Sequence, residues 1–233
     1  MPSIPDKSID MILCDLPYGT TACKWDSIIP FEPLWKEYKR VIKDNGAIVL
    51  TASQPFTTVL INSNFSWFKY ELIWEKEQGT NQFLAKYQPL KSHENILVFG
   101  KERIHYNPQY EMCVRKIGVR DKNGGTDKIT GVTLKPTHYD NGGKRNPKSV
   151  IKINRELINR YHPTQKPVAL FEYLIKTYTN EGETVLDNCA GSGTTAIACL
   201  NTNRNYIIIE KDKEYIDTIN KRIAEHEQQL ALC

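Results

Sequence analysis

Apolar positions along this chain fall into two spacings. Short, nearly continuous apolar runs occupy 10–15, 47–50, 94–100, 185–187 and 206–210, with a further strand expected over 68–76. Runs of that length, closed off by polar and turn residues, predict strands covered on both faces, as in a parallel sheet. Between them lie segments of helical spacing. Apolar residues at 170, 171, 174, 175 and 178 follow Pro167, which suits a first helical position. Residues 215, 216, 219 and 223 form a second such face, packing on the sheet. Helices are expected near 31–43, 55–62, 167–178, 194–201 and 212–228. The alternation predicts an α/β fold with a doubly wound, mostly parallel sheet. Phe65, Trp67, Phe68, Tyr70 and Trp74 are expected in its core.

A chain of 233 residues can build one large domain of this kind with a substantial core. Six cysteines are scattered at 14, 23, 113, 189, 199 and 233 with no CxxC pair, so no metal site is expected. Cys14 and Cys199 lie in apolar runs and read as buried thiols, which fits a reducing cytoplasm better than a disulfide framework. Met1-Pro-Ser-Ile-Pro-Asp6 is no signal peptide, and no apolar run approaches the ~20 residues of a membrane span. The net charge of +4 is unevenly spread. Residues 101–155 hold 13 Lys/Arg against 5 Asp/Glu, and the same stretch carries glycines at 118, 124, 125, 131, 142 and 143. Basic loops without sustained periodicity suit phosphate contacts. The alternative is an exposed, solvated loop with no partner.

Asp15-Leu16-Pro17-Tyr18-Gly19 closes the first apolar run. The carboxyl end of a parallel strand is where open α/β sheets hold their ligands. A carboxylate, a proline-fixed backbone and an aromatic ring are what a site needs to grip a planar base and bond its exocyclic amine. Such an amine, adenine N6 for example, is a poor nucleophile because its lone pair is delocalised into the ring. Acceptors aimed at its hydrogens, the Asp15 carboxylate and a carbonyl near Leu16 or Pro17, would localise that lone pair. They would also stabilise the positive charge that develops during methylation. Pro17 removes a donor and fixes φ, and Tyr18 offers a stacking face to a base taken out of the helix. A strand running into an ordinary Pro-Tyr turn is the plainer reading of the same five residues.

A second motif, Thr184–Thr195, runs from a short strand through a glycine turn into a helix. Gly191 and Gly193 permit a tight turn and close approach of a ligand, and the helix start favours an anionic group. The next strand ends at Glu210, 17 residues after Gly193, where a carboxylate grips ribose hydroxyls. No lysine follows Gly193, so this is no Walker A loop, and Ala196 takes the third position of a dinucleotide fingerprint. A nucleoside-type cofactor is expected; a turn serving only helix–strand packing is the alternative. His162-Pro-Thr-Gln-Lys-Pro167 delivers Thr164, Gln165 and Lys166 to a helix start, a fit site for a carboxylate. His162 reads as structural and receives no catalytic role.

Together these segments resemble the amino-methylating DNA methyltransferases of the N6-adenine/N4-cytosine family, in the β arrangement that puts the catalytic motif first, target recognition in the middle and the cofactor motif last. The family's Asp-Pro-Pro-Tyr stands here as Asp15-Leu16-Pro17-Tyr18. Its Asp-Pro-Phe-Ala-Gly-Ser-Gly-Thr-Thr loop is Asp187–Thr195, with Asn188 and Cys189 replacing proline and phenylalanine. Its His-Pro-Thr-Gln-Lys-Pro loop is unchanged at 162–167, and Asp44–Leu50 and Ser92–Gly100 resemble its core segments. The resemblance implies an S-adenosylmethionine-dependent, site-specific DNA methyltransferase of the restriction-modification type, with Asp15, Leu16, Pro17 and Tyr18 catalytic. Asp187, Ala190, Gly191, Ser192, Gly193, Thr194 and Thr195 would wrap the donor, with Glu210 on its ribose and Thr164, Gln165 and Lys166 near its methionine end. An aspartate heading the tetrapeptide resembles the adenine-N6 members. Residues 1–100 become the catalytic half, 156–233 the cofactor-binding half, and 101–155 a basic target-recognition insert on double-stranded DNA. Its candidate contacts are Arg103, Arg115, Lys116, Arg120, Lys144 and Arg145. Many relatives pair as homodimers.

Family members usually carry a segment ahead of the catalytic strand with an acidic residue on the donor's adenine. Only 14 residues precede Asp15, so that contact is expected to be missing or supplied otherwise. Other readings stay open at this point. Methylation of cytosine N4 or of RNA keeps the mechanism. A DNA-binding relative with weakened catalysis would fit the short lead and Leu16. An NAD-type oxidoreductase would use Gly191–Glu210 but leave Asp15–Tyr18 unexplained.

Overall fold

The computed structural model describes residues 1–20, 26–120, 125–126, 131–134, 137–156, 161 and 165–231. The chain begins with β1 (Ile9–Asp15), α1 (Phe31–Val41), β2 (Ile42–Ala52), α2 (Phe56–Ser63), β3 (Phe68–Thr80) and β4 (Lys91–Phe99). Short strands follow: β5 (Glu111–Met112), β6 (Ile117–Arg120), β7 (Gly125–Thr126), β8 (Thr133–Leu134), β9 (Thr137–Asp140) and β10 (Lys144–Arg145). It ends with β11 (Val150–Lys152), α3 (Val168–Tyr178), β12 (Thr184–Asp187), α4 (Thr194–Asn201), β13 (Asn205–Ile208) and α5 (Lys213–Ala231). Two compact units result, one of Met1–Asn107 with Ser149–Cys233, the other of Pro108–Lys148.

The larger unit is built on a seven-stranded sheet in the order β11-β3-β4-β2-β1-β12-β13. Only β4 runs against its neighbours; the other pairings in the sheet are parallel. The doubly wound, mostly parallel sheet expected from the apolar runs is the one observed. The reason is visible in β1, where successive side chains point to opposite faces. Ile12 and Cys14 pack with Leu34, Trp35 and Tyr38 of α1 and Phe56 and Leu60 of α2. Met11 and Leu13 pack with Leu170, Phe171 and Leu174 of α3 and Ala198 and Cys199 of α4. A strand covered on both faces has no polar face, so it reads as a continuous run. Full burial of side chains of this size contributes about 1.5–3 kcal/mol each.

Four details differ from the sequence reading. Phe65 is 70% exposed and Tyr70 36%, whereas Trp74 is 2% exposed and in the core. Phe65 sits in a short turn before β3, and β3 has only the three-residue β11 beyond it, so that end of the sheet is thinly covered. Residues 150–152 form an edge strand paired with β3, with one buried residue in three, too little to make an apolar run. The inward face of α5 carries Ile219 and Arg222, while Ile216 is exposed. The last strand of the sheet stops at Ile208, two residues short of Glu210.

Among its described residues the smaller unit forms three two-stranded ladders, β5–β10, β6–β9 and β7–β8. Gly142 and Gly143, both at positive φ, turn the chain after β9. The Asn141 side chain accepts from the Lys116 amide at 2.7 Å, and Arg115 pairs with Asp140. No helix among the described residues is long and apolar enough to cross a membrane.

Candidate active site

From β1 the chain winds through α1 to β2, on one side; from β12 it winds through α4 to β13, on the other. The parallel pairing of Met11 with Val185 and Ile12 with Leu186 sets the carboxyl ends of β1 and β12 side by side. That is the switch point at which an open α/β sheet parts to form a crevice.

Asp15 is the last residue of β1, and the β1–β2 register puts Thr51 beside it. Asp15 Oδ1 accepts from the Tyr18 hydroxyl at 2.8 Å and from the Thr51 hydroxyl. Oδ2 accepts from Lys166 Nζ at 2.7 Å. Lys166 is buried, with Nζ 3.3 Å from Glu94 Oε2, and Lys76 pairs with the other Glu94 oxygen. Because β4 is antiparallel, its beginning lies at the end of the sheet where β1 and β2 finish, which is how Glu94 reaches the site. Two carboxylates and two ammonium groups thus balance in a largely dry corner. Burial alone would raise the Glu94 carboxyl, but Lys166 and Lys76 outweigh it and hold the group at about 2. Burial likewise works against the Lys166 ammonium, and Asp15, Tyr18 and Glu94 together push its pKa well above the usual value. Burial and the neighbouring Asp15 raise the Tyr18 phenol, so its proton stays in place to be donated.

Leu16 is buried, and the Tyr18 ring stacks on Phe56 of α2 with centroids 5.2 Å apart. Gly19 turns at φ +67°, and the amides of Gly19 and Thr20 donate to the two carboxylate oxygens of Asp26 at 2.8 and 2.9 Å. Asp26 therefore clamps the far end of the motif.

The second motif is held as tightly. Asp187 is buried at the end of β12, accepting from the Cys189 amide at 3.0 Å and from the Thr195 hydroxyl. Burial raises its carboxyl to about 6, against hydrogen bonds from Thr195, Cys189 and Cys14 that favour the charged form. Gly191 and Gly193 both take positive φ, as an L side chain rarely does. A Cβ on Gly191 would meet open space, whereas one on Gly193 would come within 2.9 Å of Ile219. Gly193 therefore serves packing and Gly191 leaves room in front of the loop. Glu210 accepts from the amides of Gly191, Lys211 and Asp212 at 2.8–2.9 Å, fixing its carboxylate at the mouth of the loop. Asn188 accepts from Tyr38 of α1 at 2.5 Å. Ser192 Oγ donates to Gln165 Oε1 at 3.1 Å, and Arg222 donates to the Ser192 carbonyl at 2.5 Å.

One cavity of about 540 Å³ joins the two motifs. Asp15, Leu16, Pro17, Tyr18, Gln165, Lys166, Asp187, Ala190, Gly191, Ser192, Thr194, Thr195 and Glu210 all line it. Its size falls in the ~300–1,000 Å³ range of small-molecule sites. The open face of Gly191 beside a fixed carboxylate fits a nucleoside with its ribose toward Glu210. Lys166 touches both halves, with Nζ on Asp15 and its carbonyl accepting from Thr194 at 3.3 Å. Thr164 and His162 lie outside the described residues.

Sequence reasoning missed Glu94, Lys76, Thr51, Asp26 and Arg222. The one available signal was a charge, Glu94, at the threshold of the apolar run 96–99. Of the candidate DNA contacts, Arg103 and Lys116 are exposed, and Arg115 is paired with Asp140. Lys144 lies over the Tyr110 ring, and Arg145 is 3.9 Å from Glu111. The backbone of Arg120 is in β6, and its side chain lies outside the described part.

The profile of a DNA methylase family, N6/N4 methyltransferases, matches residues 9–221. The chain is 28% identical over 243 residues to the Type II methyltransferase M.HpaI of Haemophilus parainfluenzae, covering 95% of this chain and 70% of that protein. It is 30% identical over 230 residues to the DNA adenine methyltransferase YhdJ of Escherichia coli K12, covering 91% and 75%. Among solved structures, the M1.HpyAVI–SAM complex aligns over 92% of this chain and 89% of its own, with TM-score 0.61 and 27% identity. The cytosine-N4-specific PvuII DNA methyltransferase shares the fold over 94% and 80%, with TM-score 0.64 at 14% identity.

Proposed function

This chain belongs to the N6/N4 family of DNA methylases and is an S-adenosylmethionine-dependent DNA methyltransferase, and from that premise we propose how its residues act on the N6 amine of a flipped adenine. The observation that carries the reading is the single cavity shared by Asp15–Tyr18 and the Gly191–Glu210 loop.

Asp15 Oδ1 already accepts two hydroxyl bonds, so its lone pairs are taken. Among the described residues Oδ2 accepts the bond from Lys166 alone, which leaves one lone pair for an N6–H. Lys166 holds that oxygen in place, and Thr51 holds the other oxygen of the same carboxylate. A lone ammonium beside a reacting amine would oppose the positive charge that develops there, and Glu94 offsets it. A backbone carbonyl at Leu16 or Pro17 would supply the second acceptor. Bound S-adenosylmethionine supplies an electrophilic methyl group on a sulfonium. Glu210 would take its ribose hydroxyls, Gly191 and Ser192 would pass close to it, and Gln165 would meet its methionine end. Double-stranded DNA is the substrate, and the basic residues of 101–155 are proposed to hold it. Assembly as a homodimer and a cytoplasmic location complete the proposal.

The test is methyl transfer from labelled S-adenosylmethionine to mixed-sequence duplex DNA, followed by digestion to nucleosides and mass analysis. N6-methyladenine is the expected product; N4-methylcytosine would overturn the base assignment. Asp15→Ala should abolish transfer and leave donor binding nearly intact. Loss of donor binding alone would overturn the role of Asp15.

A further inference from the structure

An enzyme that alkylates a base inside a duplex must take that base out of the stack, and the gap left behind costs unstacking energy unless something fills it. The residues of the two motifs do not do this, since they line the cavity or brace it. The β3–β4 hairpin, however, forms one wall of that cavity through Trp74, Lys76, Thr80 and Glu94. Its connection, residues 81–90, begins one residue past Thr80, at the same end of the sheet as Asp15.

Every residue of this connection is exposed. Phe83 is 98% exposed and Tyr87 85%, the barest aromatic side chains among the described residues of the larger unit. Single apolar residues on a surface need no explanation, but two uncovered rings four residues apart on one short loop do. The loop is also internally built. The Leu84 amide donates to the Asn81 carbonyl at 2.9 Å, and the Tyr87 and Gln88 amides both donate to the Leu84 carbonyl at 2.9–3.0 Å. At its base Thr80 Oγ1 donates to the Lys91 carbonyl at 3.0 Å. A Cβ on Gly79 would come within 2.5 Å of Leu90 Cβ, so the base closes only around glycine. Residues 79–91 contain Lys86 and Lys91 and no carboxylate, a charge suited to a polyanion.

We infer that Phe83, supported by Tyr87, is the wedge that enters the DNA stack beside the target adenine as that base turns into the cavity. The inference rests on the methyltransferase reading above. An aromatic ring stacks on any base, so the wedge would act on every site the enzyme uses.

The experiment uses the full chain and a duplex carrying a site found from the wild type's own methylation of mixed-sequence DNA. Phe83→Ala, Phe83→Trp and Phe83→Ala/Tyr87→Ala are compared on that duplex and on one with the target adenine mispaired. Expected are a fall in single-turnover methylation of the paired duplex by about 10- to 100-fold for the alanine variants, unchanged S-adenosylmethionine affinity, and near-wild-type activity for Phe83→Trp. On the mispaired duplex, where the base is already loosened, most of the loss should disappear. Wild-type rates in the alanine variants would overturn the inference. So would an equal loss on both duplexes, which marks a plain DNA contact. A changed sedimentation coefficient would mark a surface between copies, and a loss of donor affinity a part of the cavity wall; either overturns it. A wild type that binds the donor and methylates no DNA would instead bring down the reading on which the wedge depends.

Discussion

Asp187 and Asp15 close adjacent strands of the same sheet, yet their surroundings set them to different tasks. Asp15 meets an ammonium and two hydroxyls, and so can remain an acceptor facing the cavity. Asp187 is buried against apolar neighbours with a pKa raised to about 6. A carboxyl that binds its proton more tightly in the folded than in the unfolded protein contributes stability at low pH. That contribution is full below its unfolded value of 3.8 and lost as pH rises through about 6. Lowering the pH from 7 to 4 should therefore stabilise the wild type relative to Asp187→Asn by up to about 3 kcal/mol. Denaturant melts of both proteins across that range would show it, and a difference independent of pH would contradict it. Asp15 was legible in the sequence because its motif is contiguous. Glu94 and Lys76 were not, because their importance lies in being opposite Lys166, 72 and 90 positions further along the chain.

The strand–loop–helix unit from β12 to α4 shows what an element needs beyond its periodicity. Its turn requires φ of +81° at Gly193, and α5 seals the turn by laying Ile219 against it. Gly193→Ala would impose both a left-handed backbone on an L residue and a contact of 2.9 Å with the Ile219 side chain. The expected cost is about 1–3 kcal/mol of stability, with weaker donor binding measured by calorimetry. Ile219→Ala in the same chain should recover the steric part and leave the backbone part. A Gly193→Ala protein of wild-type stability would show that the turn has another conformation open to it. The five expected helices and six expected strands are all present, most of them because they bury apolar residues that the spacing records; β3 buries only Trp74. Arg222 escaped notice since a charge on a helix ordinarily marks its wet side. Here its guanidinium is buried against the Ser192 carbonyl and lies 4.7 Å from the Tyr161 ring centroid.

At the scale of the whole molecule, the net positive charge comes from the residues of the smaller unit. Residues 108–148 carry nine Lys/Arg against four Asp/Glu, and the ladders described there are two to four residues long. Paired strands this short are marginal alone. Phosphate neutralisation by such residues makes DNA binding fall steeply with salt. Replacing Lys116 and Lys144 with glutamine should weaken binding uniformly across sequences and reduce the slope of log K against log salt by about 2. Fluorescence anisotropy on a labelled duplex at several salt concentrations would measure it; an unchanged slope would remove these two lysines from the DNA contact.

The sequence by itself determined the fold class, the order of the elements and both motifs, because continuous apolar runs, helical spacing and contiguous loops are properties of neighbours along the chain. Tertiary structure alone decided the rest. Reversal of one strand, β4, carries Glu94 to the end of the sheet where Asp15 stands. Parallel pairing of β1 with β12 joins two motifs some 170 residues apart into one cavity. A four-charge balance and an uncovered aromatic loop beside that cavity exist only once strands distant in sequence have paired, because burial and Coulomb attraction depend on distance in space.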